Sequence, residues 1–222
     1  MFEQPVTRRD SLIRLGGFAV TALGLGGLEA ARADAATVSC ILTPEQTEGP
    51  YYIAGEKLRR NITEGRPGAP MVLRTFVVDA STCRPIRNAA VDIWHADAAG
   101  VYSGFGAGAS NRTFMRGIQR TDADGLAIFK TIYPGWYTGR TVHIHVKVHV
   151  SSNVVHTGQL YFPDSMTDAV YRRAPYSARG SRDVRNASDS IYRSGGKRSL
   201  LSVKKNSAGV YVATITMGVH RT

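Results

Sequence analysis

The segment Thr141-Val142-His143-Ile144-His145-Val146-Lys147-Val148-His149-Val150 alternates strictly between apolar and polar side chains. A strand repeats its facing every second residue, so Val142, Ile144, Val146, Val148 and Val150 share one face and the histidines share the other. His143 and His145 therefore project side by side, as two imidazoles must if one strand is to offer both to the same metal ion. Polar residues on a solvated sheet face would have the same spacing, and spacing alone leaves both readings open. Directly upstream, Tyr133-Pro134-Gly135-Trp136-Tyr137-Thr138-Gly139-Arg140 brings an aromatic hydroxyl and a guanidinium close to the histidine pair.

These side chains need a rigid frame. Strand-like runs at 71–79, 90–95, 126–131, 142–150, 158–162, 200–203 and 209–217 are separated by turn chemistry such as Asp124-Gly125 and Ala208-Gly209. Together with 23 glycines in 222 residues, they predict an all-β fold, a single-domain antiparallel β-sandwich with long loops. The prolines and glycine of Thr43-Pro44-Glu45-Gln46-Thr47-Glu48-Gly49-Pro50-Tyr51-Tyr52 forbid a continuous helix and favour an extended arm. Residues 163–197 read as mostly loop, with a short helix near 166–171.

The first 35 residues have the pattern of an export signal. Arg8-Arg9 precede an uncharged stretch from Leu15 to Leu28, followed by small-residue cleavage candidates around Ala31-Arg32-Ala33 and Ala33-Asp34-Ala35. That stretch falls short of the roughly 20 apolar residues that span a bilayer, so no membrane span is expected after signal removal. The arginine pair resembles a twin-arginine signal, although Ser11 and Ile13 stand where Phe and Lys are common. The domain reading is a cleaved signal peptide over 1–35, an extended arm over 36–70 and the sandwich over 71–222, in a protein exported to the periplasm or the exterior. In an oxidising compartment Cys40 and Cys83 either form one disulfide, worth roughly 4 kcal/mol at most, or remain two buried thiols. The formal charge of +11 is concentrated between Arg172 and Lys205, where ten basic residues face only Asp183 and Asp189. Such a run reads first as solvated loop and second as an attractor of anionic substrates or polyanions; no nucleic-acid role is assigned.

Gly135-Trp136-Tyr137, Arg140 and His143-Ile144-His145, with Asp92-Ile93-Trp94-His95-Ala96-Asp97 and Gly100-Val101-Tyr102-Ser103-Gly104, resemble the intradiol ring-cleavage dioxygenases, the family of the protocatechuate and catechol dioxygenases. The resemblance implies a non-haem iron(III) held by Tyr102, Tyr137, His143 and His145, since hard anionic phenolates stabilise the ferric state and imidazoles complete the set. It implies that a catechol-type substrate and O2 react so that the ring opens between its hydroxyl-bearing carbons to a muconate-type diacid. Tyr137 would leave the metal when substrate binds, and Arg140 would stabilise charge on the ring. By the same resemblance Thr47, Gly49, Pro50 and Tyr51 line the substrate pocket, sometimes reached from a neighbouring subunit, so a homo-oligomer fits the reading. Trp94 and Gln159 match an aromatic and a glutamine beside the iron, though packing would also account for them. Only a few residues separate Tyr137 from the histidines, where protocatechuate dioxygenases carry an insertion, and the catechol dioxygenases' helical dimerisation domain finds no room. Two other readings stand beside this one: an inactive β-sandwich binding module, and a zinc hydrolase using His143 and His145 with Asp122 or Asp124.

Overall fold

The computed structural model describes residues 42–106 and 108–221. The predicted signal peptide and Cys40 lie outside the described residues. Eight strands are present among them: β1 Pro70–Asp79, β2 Ala90–Trp94, β3 Arg116–Arg120, β4 Leu126–Ile132, β5 His143–Val150, β6 Asn153–Tyr161, β7 Ser202–Lys205 and β8 Tyr211–Val219. They form two four-stranded sheets, in the orders β4-β1-β8-β7 and β3-β2-β5-β6.

Two details differ from the sequence reading. β3 is an eighth strand where seven were expected; its sequence Arg-Gly-Ile-Gln-Arg has one β-branched residue and gives no alternating apolar signal. It is an edge strand held to β2. The sheets are antiparallel except for β1 and β8, which pair in parallel from Met71↔Tyr211 to Asp79↔Val219. Parallel neighbours cannot be joined by a hairpin, and the long chain between these two strands supplies the necessary crossover.

Alternation builds the core. Leu73 and Val77 of β1, Ala127 and Phe129 of β4, and Ala213 and Met217 of β8 share one buried cluster with Val91 and Ile93 of β2, Ile144, Val146 and Val148 of β5, and Leu160 of β6. Each of the Val, Leu, Ile, Phe and Met side chains among them, fully buried, contributes roughly 1.5–3 kcal/mol.

The opposite face of the second sheet is also covered. Trp94 pairs with Arg116 on one side and with His145 on the other, and His145 pairs in turn with Gln159, so one row crosses four strands. Over this row runs the N-terminal arm, fixed by Thr43 N–H to Gly218 C=O and Gln46 N–H to Thr157 C=O, both 2.9 Å. The segment after β6 covers the row's other end. It contains α1 (Asp164–Tyr171) where a short helix was expected, three short 3-10 turns and α2 (Ser190–Arg193). No helix among the described residues is long and apolar enough to cross a membrane.

Candidate functional site

His143 and His145 open β5, and their side chains lie under the arm at 3% and 1% exposure. The polar face of β5 is therefore dry at this end, which removes the solvated-face alternative for the pair. His143 Nδ1 lies 2.6 Å from the carbonyl oxygen of Thr141. A carbonyl only accepts, so this contact places the proton on Nδ1 and leaves the Nε2 lone pair free. His143 Nε2 is 3.1 Å from His145 Nε2 and 3.2 Å from the Tyr137 hydroxyl.

Tyr102, from the turn after β2, closes the group. Its ring stands 5.6 Å from that of Tyr137 and 6.1 Å from that of His145, both edge-on. The Tyr102 hydroxyl is buried and makes no hydrogen bond among the described residues. A buried hydroxyl left so costs about 1–3 kcal/mol. Two imidazoles and two phenols thus turn their polar atoms inward upon one another, and a cation among them would satisfy all four. Among the described residues no cluster of three or more His, Cys, Asp or Glu could hold a metal; the oxygen donors beside this histidine pair are the phenols of Tyr102 and Tyr137.

Electrostatics agree with that need. Burial, and then Arg140, pushes His143 down to about 3; burial, and then His143, holds His145 well below the usual imidazole range. Both rings are therefore neutral donors near pH 7. Burial pushes the phenols of Tyr102 and Tyr137 up, Tyr102 strongly and with Tyr137 as the second cause. Without a cation they stay protonated, and a metal drawing in their oxygens would release protons.

The walls are aromatic. Trp94 lies flat on His145, with ring centroids 4.9 Å apart and planes 5° apart, because the two residues are cross-strand partners on β2 and β5. Tyr51 stacks on Tyr102 at 4.3 Å and meets Tyr137 edge-on at 6.1 Å. Gly49 sits against His145 with φ +70°, and a Cβ there would lie 3.1 Å from His145 Cε1. Only glycine takes that conformation without strain and passes that close. On either side of it Glu48 forms an ion pair with Lys147, and the Lys147 ammonium rests over the Tyr52 ring. Pro50 is exposed at the turn that carries Tyr51 inward.

Arg140 and Gln159 occupy the end of the row. Arg140 Nη2 donates to Gln159 Oε1 at 2.6 Å, and Gln159 Nε2 donates to the Thr47 carbonyl at 2.9 Å, so Thr47 enters through its backbone. Asp189, which the sequence reading left in the solvated basic run, is 2% exposed and accepts from Arg140 Nε and from Thr141 N–H, each at 2.8 Å. Asn186 accepts from the Thr141 hydroxyl at 2.7 Å. The run is not uniformly solvated either: Arg182 and Arg185 pair with Asp164 and Asp168 of α1. Neither Asp189 nor Asn186 lies near the histidines in sequence; the signal for Asp189 is an isolated acid preceding a helical turn, where it caps α2 by accepting from Ile191 and Tyr192 N–H.

Other candidates fall elsewhere. Asp122 and Asp124 are exposed in the β3–β4 turn, where Asp122 caps the N–H groups of Asp124 and Leu126. His95 is a satisfied core histidine, contacting Ala96 C=O at 2.7 Å and the Thr131 hydroxyl at 2.8 Å.

Residues 47–172 match a family described as Dioxygenase. An intradiol ring-cleavage dioxygenase from Tetranychus urticae, of solved structure, is 35% identical and superposes with a TM-score of 0.78, over 82% of this chain and 95% of that one. The dioxygenase domain of a dioxygenase carbohydrate-binding protein fusion from Streptomyces sp. SirexAA-E is 29% identical with a TM-score of 0.64, over 82% of this chain and 100% of that one. Catechol 1,2-dioxygenase 1 of Acinetobacter lwoffii is 33% identical over 101 residues, which are 43% of this chain and 32% of that protein. The match thus spans about a third of that curated relative's length.

Proposed function

We propose, from the premise that this chain belongs to the intradiol ring-cleavage dioxygenase family, that it binds iron(III) through Tyr102, Tyr137, His143 and His145 and uses O2 to open a catechol-type ring between its hydroxyl-bearing carbons. The observation that carries this reading is the buried convergence itself, with His143 Nε2 3.1 Å from His145 Nε2 and 3.2 Å from the Tyr137 hydroxyl, beside the unpartnered hydroxyl of Tyr102.

Iron(III) held by Tyr102, Tyr137, His143 and His145 would supply Lewis acidity toward the two oxygens of a catechol-type substrate. The chain's own residues do the rest. His143, oriented by the Thr141 carbonyl, and His145, clamped between Trp94 and Gly49, present neutral nitrogens without needing to lose a proton. Tyr137 is the more exposed phenol and would be the one to take up a catechol proton at its hydroxyl oxygen. Tyr102, at 4% exposure beneath Tyr51, stays. Arg140 brings a positive charge to the same face, where it stabilises negative charge developing on the ring in a site screened from water.

The test is to purify the full chain aerobically, count iron, and record the visible spectrum before and after adding catechol or protocatechuate. One iron per chain with a broad phenolate-to-iron(III) band that shifts with substrate, and O2 uptake matching ring opening, are expected. A chain that stays colourless after reconstitution with iron(III) would overturn the reading.

A further inference from the structure

Arg140 is the one cation the proposed chemistry asks to stand at a fixed place, yet it leaves the chain just after the exposed residues Thr138 and Gly139, before β5 begins. Hydrogen bonds hold the backbone of that turn, Gly139 N–H to Asp183 Oδ2 at 2.9 Å and Arg140 N–H to Tyr137 C=O at 3.4 Å. The rigidity of the side chain comes from a residue 49 positions away. Asp189 Oδ2 accepts from Arg140 Nε and from Thr141 N–H, each at 2.8 Å, so one carboxylate oxygen holds the guanidinium and the backbone next to it together. Its other oxygen, Oδ1, accepts from Ile191 and Tyr192 N–H at 2.9 Å each, which ties the carboxylate to α2. Every strong acceptor direction of Asp189 is used, and the residue is 2% exposed.

We infer that Asp189 is the positioning residue for Arg140: it fixes the guanidinium over the substrate face, and its bond to Thr141 N–H ties the same carboxylate to the backbone beside that arginine. The inference rests on the proposed function for what Arg140 is positioned to do. It does not rest on it for the positioning. Two further contacts make the geometry one unit. Gln159 accepts from Arg140 Nη2 and donates to Thr47 C=O, so the arm reaches the arginine through Gln159, while Asp189, at the start of α2, holds it at Nε. Asn186 repeats the Asp189 logic one turn earlier, taking the Thr141 hydroxyl and donating to the Phe162 carbonyl at 2.9 Å. A charged acceptor is what the place requires, since a partly buried guanidinium left unpaired would sample other rotamers or draw in water.

The experiment compares wild type, Asp189→Asn, Asp189→Glu, Arg140→Ala and the double variant Arg140→Ala/Asp189→Asn, all as full chains. Asp189→Asn can keep the Oδ1 cap of α2, but the amide nitrogen that replaces Oδ2 cannot accept from Arg140 Nε or Thr141 N–H. Circular dichroism and the urea midpoint are therefore read beside activity, and Asp189→Glu, which keeps a charged acceptor, is the conservative control. In the metal-free, diamagnetic protein, the Arg140 Nε–H resonance should be protected from solvent exchange in wild type and lose that protection in Asp189→Asn, with partial recovery in Asp189→Glu. In the iron(III) protein Asp189→Asn should lower kcat by about tenfold to a hundredfold. KM for catechol and the visible band should be nearly unmoved. On the Arg140→Ala background the same change should lower kcat less than about twofold, because the group it positions is gone. Unchanged Arg140 protection in Asp189→Asn would overturn the inference, and so would full additivity of the two substitutions. A wild-type protein that opens no catechol ring would sink the proposed function instead, while the exchange measurement still decides the role of Asp189.

Discussion

On the sheet β4-β1-β8-β7, Val72, Arg74 and Phe76 of β1 and Val212, Thr214 and Thr216 of β8 are only half-buried on the side away from the core, whereas on the sheet β3-β2-β5-β6 the outward residues Trp94, His143, His145 and Gln159 are each at most 3% exposed. Both sheets obey the same alternation. The difference is made by segments that are not strands: the arm from Thr43 to Tyr52 and the turn-rich segment that brings Asn186 and Asp189 lie on the second sheet's outer face. A sandwich ordinarily buries one face of each sheet; here one sheet has two dry faces, and its second is polar. Polar groups in such a place must find partners, and the four ligand candidates, Arg140, Gln159 and Asp189 find them largely in one another.

The contrast can be broken from its strongest side first. His145→Ala should remove the iron and bring ring opening to background, read by metal analysis and O2 uptake, with the fold retained by circular dichroism. Ile144→Ala, one residue away on the apolar face, should instead cost about 2–5 kcal/mol in equilibrium unfolding and leave the visible band of the folded fraction in place. Next comes Gly49→Ala, whose Cβ would press on His145 from a backbone with φ +70°. It should destabilise the chain by about 1–2 kcal/mol and weaken iron retention against a chelator more than it alters unfolding of the metal-free form.

Acidification sharpens the comparison more gently. Burial is the first cause that lowers His143 to about 3 and His95 and His156 to about 4, all from 6.5. Bases depressed in the folded state stabilise it above their unfolded value and lose that contribution as pH falls, so metal-free protein should weaken from about pH 6.5 downward through 4 and 3. Asp92 works the other way: burial first raises it to about 7, so its contribution is full below 3.8 and is lost as pH rises through 7. A urea midpoint measured across this range should therefore fall on acidification in wild type, and Asp92→Asn should steepen that net fall. Smallest of all, Thr214→Ser on the outer face of β8 should change stability by no more than about 0.5 kcal/mol.

What could be read beforehand follows the same division. The alternation of 142–150 made the facing of the histidine pair legible and the motif around Tyr137 set one hydroxyl beside it, since a strand's period and neighbouring motifs are local properties. Tyr102, about forty residues before the pair, came only with the family resemblance. β3 was not legible, because its one apolar residue, Ile118, carries no pattern and its Arg116 is buried by turning to Ser103 C=O at 2.7 Å. Asp189 stayed hidden for a different reason. Charge counting assigned it to a basic loop, and only the folded path shows that this acid faces inward to Arg140 rather than outward to its neighbours.

The parallel pairing of β1 with β8 has a consequence in time. Met71 must find Tyr211, roughly 140 residues further on, before the centre of the first sheet exists, and non-local closures of that kind are slow. Leu42 at the start of the arm bridges to Gly218 in the same late strand. The arm that covers the histidines is thus anchored on β8. During folding the site should stay open and unable to retain a metal until β8 docks, so iron capture would follow the rate of that docking and not the formation of the histidine strand.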